Sequence, residues 1–188
     1  MLKFFSLPIH HEGQKYFLEP ITGSLLSKRI DDTEHKKVVP KQSKISRALD
    51  QCNRPYMLEK DSKNSQEMKQ VKSIHFVNQF GRGLTSIFKT SFFLGRIFST
   101  FGFMVFDNTT EAFIAYRKML PGKRQKDLCL PRAFFAASTS KNFKKKGVIF
   151  IGVFLPSKNL HAWIIEDGMQ PDPFDNMWIN YQPVAIFY

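Results

Sequence analysis

The period of the apolar positions changes along the chain, and each change predicts a different element. From 148 to 155 the run Val-Ile-Phe-Ile-Gly-Val-Phe-Leu has no polar interruption, the pattern of a strand buried on both faces. Further strands are predicted at about 160–166, 169–174 and 184–188, with Asp167-Gly168 as a two-residue hairpin turn between the first two. Upstream the period is helical. Leu84, Ile87, Phe88, Ser91, Leu94 and Phe98 share one face, while Arg82, Lys89 and Arg96 share the other. Asn108-Thr-Thr-Glu111 is a capping box that opens a helix to about Met119, stopped by Pro121-Gly122. A charged loop, 122–127, leads to one more helix at 128–146. Its apolar face is Ala133, Phe134, Ala136, Ala137 and Phe143, and it stops at Gly147. Lys141 and Lys144 to Lys146 crowd its C-terminal end, where they complement the helix dipole.

The first 70 residues are weaker in pattern. Short strands are predicted at 2–9 and 15–21 around a His-Glu-Gly-Gln turn in which Gly13 supplies the freedom. A helix is expected from Gly23, with Ser24 near its cap, and a second short one at 43–51. Residues 53–70 read as a linker. The expectation is therefore a small β-rich module with a polar linker at 1–70 and a larger domain at 71–188. Helices first and strands last make the class α+β with an antiparallel sheet.

The chain has 188 residues, of which 43% are hydrophobic and 20 are Phe, enough for a substantial aromatic core. Its formal charge of +12 favours anionic partners in general without selecting one. The lysine cluster fits a dipole complement better than a nucleic-acid patch, so no nucleic-acid partner is inferred. Peripheral membrane contact is the sharper alternative use of the 84–98 face. Two cysteines are too few for a secreted disulfide scaffold. Pro8, His10 and His11 interrupt the apolar start too early for a signal peptide. A cytoplasmic protein with reduced thiols is expected. His10, His11 and His35 have no cysteine partners at ligand spacing, so no metal site is inferred, and no glycine-rich phosphate loop is present.

The chemistry concentrates between 127 and 172. Cys129 opens a helix, whose positive end favours a thiolate. His161 follows on a strand, and acids follow the turn. A cysteine, a histidine and an acid in that order are the parts of a papain-like or transglutaminase-like nucleophilic site. If Asp167-Gly168 closes a regular hairpin, Trp163 faces Asp172 and His161 faces Phe174, making His161 and Asp172 diagonal neighbours on one face. Asp175 would then point away. The reading is Cys129 as nucleophile, His161 as general base and Asp172 as the group that orients it, with the Cys129 N–H as an oxyanion donor. Cys52, in a polar stretch, reads as an ordinary thiol.

Cys-Leu-Pro-Arg at 129–132, Lys-Lys-Gly at 145–147, Ile-Gly-Val at 151–153 and His-Ala-Trp-Ile-Ile-Glu-Asp-Gly at 161–168 resemble the lasso peptide leader peptidases. These are the B proteins of the microcin J maturation type, within the transglutaminase-like superfamily. The resemblance covers about 120–188. It implies a papain/transglutaminase-like domain with Cys129, His161 and Asp172 as its triad. The implied substrate is the leader region of a ribosomally made lasso precursor peptide in a bacterial cytoplasm. The implied partner is an asparagine-synthetase-like cyclase, in which any ATP dependence would reside. Many relatives carry an N-terminal module that binds the leader as an added strand, and the strands at 2–21 correspond to it. Residues 31–70 lack the apolar period of that module's three helices. The triad also suits a transglutaminase or acyltransferase, and the basic chain also suits a non-catalytic peptide-binding module.

Overall fold

A computed structural model describes residues 3–19, 21–29, 43–52, 105–119, 129–155 and 157–188. The strands are β1 Phe4–Ser6, β2 Ile9–His11, β3 Gln14–Leu18 and β4 Leu25–Arg29. Helices α1 Ser43–Cys52, α2 Thr109–Met119, α3 Cys129–Thr139 and the short α4 Phe143–Lys146 follow. The chain ends in β5 Gly147–Phe154, β6 Asn159–Glu166, a 3-10 turn Trp178–Asn180 and β7 Gln182–Phe187. This is an α+β arrangement with two antiparallel sheets, ordered β1-β7-β5-β6 and β2-β3-β4. The linker at 53–70, the amphipathic stretch at 84–98 and the loop at 122–127 lie outside the described residues. Among the described residues no helix is long and apolar enough to cross a membrane.

The uninterrupted apolar run becomes β5, central in the larger sheet and buried on both faces up to Phe154. One face of that sheet carries Ile149, Ile151, Val153, Ala162 and Ile164 against Phe113 of α2 and Phe134 and Ala137 of α3. The other carries Val148, Phe150, Trp163, Ile165 and Ile186 against Ile45 and Ala48 of α1 and Trp178. Period-two alternation thus feeds two cores from three strands. The Asn108 cap forms as read, its Oδ1 accepting the Glu111 N–H at 3.0 Å, while Glu111 reaches back one residue past the cap to accept the Asp107 N–H at 3.3 Å.

Several expectations are corrected. Leu25–Arg29 is a strand paired with β3, not a helix beginning near Ser24. Each of its residues pairs across to β3, from Leu25 opposite Leu18 to Arg29 opposite Gln14, so its backbone groups on that side are taken by the ladder. The helix expected over 128–146 is broken. Ser138 and Thr139 hydroxyls turn back on the Phe135 carbonyl, and the Lys141 N–H leaves the helix for the Phe106 carbonyl at 2.9 Å. The boundary near 70 does not separate two cores. β1 is an edge strand of the larger sheet, with Phe4 opposite Phe187, and Leu18 of β3 is buried in the same cluster as α2 and α3.

The correction that matters most concerns the segment after β6. Asp167 and Gly168 both have positive φ, at 54° and 80°, and Glu166 and Met169 exchange two backbone hydrogen bonds, so the two-residue turn forms. No strand follows it. With Glu166 and Met169 as a hydrogen-bonded pair, residues 171 and 173 are the next that must donate to β6. Both are proline and have no N–H. The chain turns instead at Asp172-Pro173-Phe174-Asp175, where the Asp175 N–H reaches the Asp172 carbonyl at 3.3 Å. Among the described residues β6 remains the edge of the sheet.

Candidate functional site

α3 begins at Cys129 with Pro131 inside its first turn, where an N–H has no partner within the helix. The half-buried thiol of Cys129 is hydrogen-bonded to the His161 ring and takes the backbone N–H of Ala162. That N–H is available because the prolines keep a fifth strand from covering the β6 edge. Burial opposes ionisation of the thiol. The His161 hydrogen bond and charge, the Ala162 N–H and Arg132 outweigh it and hold the pKa below that of an ordinary thiol.

His161 Nε2 lies 2.6 Å from Asp175 Oδ2, leaving Nδ1 as the ring nitrogen for the thiol. Burial works against the imidazolium, but the hydrogen bonds and charges of Asp175 and Cys129 raise its pKa to about 9. The ring lies 4.9 Å from that of Tyr181 and stacks on Trp163 at 6.1 Å. Gly152, directly across from His161 on β5, makes room for Trp163. A Cβ there would lie 2.6 Å from the indole and 2.9 Å from the Gln182 carbonyl.

Asp175, not Asp172, is therefore the carboxylate on the histidine. The expected register placed Asp172 diagonal to His161 only if residues 169–174 formed a strand, and they do not. Asp175 Oδ1 accepts the Met177 N–H at 3.0 Å, and the buried Gln170 amide donates to the Asp175 carbonyl at 3.1 Å. Burial raises its pKa, but His161 and Arg132 overcome that and hold it below the ordinary value. Asp172 is buried too. Its Oδ1 accepts the Phe174 N–H at 3.0 Å, and its Oδ2 lies 3.0 Å from Arg132 Nε. That approach is out of line with the N–H, so the contact is an ion pair and not a hydrogen bond. Burial pushes the Asp172 pKa up to about 6 despite Arg132. Arg132 Nη2 lies 3.7 Å from Asp175 Oδ2.

The structure thus brings Cys129 and His161 together and supplies Asp175 as the third member. The Asp172-Pro173 dipeptide, a turn start, is the signal in the sequence that favours Asp175. Tyr181 and Gln170 carried no signal, because neither sits in a motif. Cys52 contrasts with Cys129: it is half-buried in the α1 core, and burial pushes its pKa up to about 12, with Trp163 lowering it only in part. Among the described residues no three His, Cys, Asp or Glu side chains come together to hold a metal ion.

A thiol at a helix mouth whose pKa is lowered by a neighbouring imidazole has the chemistry that nucleophilic catalysis requires. No family model matches the chain, and no curated protein or solved structure is similar enough to match it.

Proposed function

We propose that this chain is a cysteine peptidase of papain/transglutaminase-like fold that cleaves the leader from a ribosomally made lasso precursor peptide. The observation that carries the nucleophilic chemistry is the continuous contact from Cys129 through His161 to Asp175. Cys129 Sγ attacks the scissile carbonyl, and the tetrahedral oxyanion forms beside the Cys129 N–H at the mouth of α3. The imidazolium of His161 gives its proton to the leaving amine, which departs as the free amino terminus of the core. The thioester that remains is hydrolysed by a water from which His161 takes a proton, releasing the leader carboxylate. Asp175 holds the ring tautomer and its charge throughout. The freed amine is what a partner cyclase would join to a side-chain carboxylate.

The substrate assignment rests on the motif resemblance at 129–168. The β2-β3-β4 sheet supports it, because among the described residues no further strand pairs with β2 or β4 on its outer side, where a leader strand could add. The test is mass spectrometry of synthetic lasso-type precursors incubated with the full chain. Cleavage at the leader–core junction is expected, and Cys129→Ala should abolish it. Asp175→Asn should lower kcat by about 10³-fold or more, as for the orienting acid of a triad. Asp172→Asn, which leaves the His161 bond in place, should cost far less. Cleavage that persists in Cys129→Ala at the parent rate ends the enzyme reading. Recovery of amine-linked product without hydrolysis would reassign the chain to acyl transfer.

A further inference from the structure

We propose that Arg132 is a positioning residue that fixes the Asp175 carboxylate against His161, with Asp172 as its counter-anchor. The inference rests on the cysteine-nucleophile reading and gives a function to a cation that reading leaves unused. Arg132 follows Cys129 by three residues on α3, so both side chains rise on the same flank. It is only 7% exposed, and a guanidinium does not persist in such a setting without anionic partners. Its two partners are 3.0 Å and 3.7 Å away, on Asp172 and Asp175. The Asp175 oxygen it approaches is the same Oδ2 that takes the His161 N–H at 2.6 Å. The other oxygen, Oδ1, is held by the Met177 N–H.

Asp175 therefore has both oxygens fixed, and its carboxyl plane is not free to rotate. Two carboxylates this near each other and this buried do not both stay ionised without a shared cation. Arg132 is that cation. The Phe113 ring on α2 lies under the guanidinium, 6.0 Å from Cζ. Among the described residues, the titratable groups around the network are Cys129 on α3, Tyr116 on α2, His161 on β6, and Asp172, Asp175 and Tyr181 after it. A lysine here would supply a point charge but not a fork that spans two carboxylates.

The test needs no substrate. In a Cys52→Ala background Cys129 is the sole thiol, since the chain has two cysteines. The rate of alkylation by iodoacetamide is followed against pH in the full chain, with thermal unfolding of each variant as the control for folding. The parent should react with an acid limb below that of a free thiol. Arg132→Met should move that limb up by about one pH unit or more, a tenfold loss of thiolate on its acid side. Arg132→Lys should recover only part of it, and Asp175→Asn should match or exceed the loss. Should Arg132→Met unfold, Arg132→Lys decides: a folded lysine variant with the parent's limb overturns the proposal, and a shifted limb upholds it. A folded Arg132→Met with an unmoved limb overturns it outright. A limb that depends on Arg132 in a chain that cleaves no precursor refutes the peptidase reading and upholds the positioning. Precursor cleavage with a limb indifferent to Arg132 does the reverse.

Discussion

At the scale of residues, the site is a set of opposed shifts in one small volume. Burial favours the neutral form of both Cys129 and His161, yet their mutual contact lowers the pKa of the thiol and, with Asp175, raises that of the ring. The two titrate as a pair, so their apparent values belong to the pair. Under the proposed peptidase reading, precursor cleavage followed by mass spectrometry against pH should rise through the depressed limb of Cys129 and fall as the pH passes about 9, where His161 loses its proton. The same shift fixes a stability dependence. The folded pKa of His161 lies above its ordinary value of 6.5, so its contribution is complete below that pH and is lost as the pH rises through about 9. Urea titrations of parent and His161→Gln across this window should show the stability difference shrinking toward alkaline pH. A difference that grows there would reverse the sign of the coupling. Gly152 is the second residue-scale control. Gly152→Ala would press a methyl into Trp163 and the Gln182 carbonyl. Overpacking of this kind costs about 1–3 kcal/mol, read as a lowered Tm. Because His161 stacks on the displaced indole, Cys129 alkylation near neutral pH should slow as well.

At the scale of elements, the edge strand β6 explains both what the sequence made legible and what it did not. The buried strand at β5, the turn at Asp167-Gly168, the capped helix α2 and the pairing of cysteine with histidine all follow from local signals that the tertiary fold leaves intact. The identity of the acid does not. It depends on whether the chain pairs with β6 after Met169, and regular alternation answers yes while the prolines at 171 and 173 answer no. A missing donor at two successive ladder positions outweighs side-chain period, because a strand without those bonds has nothing to hold it to the edge. The broken helix after Thr139 is a similar case. Three hydroxyl residues in a row, Ser138 to Ser140, compete for backbone groups that composition alone assigns to a helix. The capping box gives a direct check of element stability. Asn108→Ala removes the acceptor for the Glu111 N–H and should cost about 1 kcal/mol, visible as a lower denaturation midpoint. Cys129 reactivity should be unchanged, because the cap touches none of the site residues.

At the scale of the whole molecule, the sequence suggested a separable front module, and the strand order denies that separation. β1 comes first in the chain and ends up beside β7, the last strand, with backbone bonds between Lys3 and Tyr188 closing the pair. α1 covers the sheet face that carries Trp163, the residue on which His161 stacks. The early segment is therefore structural support for the site as well as the bearer of the β2-β3-β4 sheet. The reason it was not legible is one of distance: a three-residue strand has no internal period to declare its partner, and that partner lies some 180 residues away. The consequence is testable by truncation. A chain beginning at residue 71 loses β1 and α1 together, exposing the outer edge of β7 and the apolar face formed by Val148, Phe150, Trp163 and Ile165. An uncovered edge beside an uncovered apolar face favours association over folding. The truncated chain should aggregate, or unfold without a cooperative transition, and its Cys129 should alkylate with the pH dependence of a free thiol. A monomeric truncation that melts cooperatively and keeps the low acid limb would mean that residues 71–188 suffice, with the front segment a docked accessory and not part of one fold.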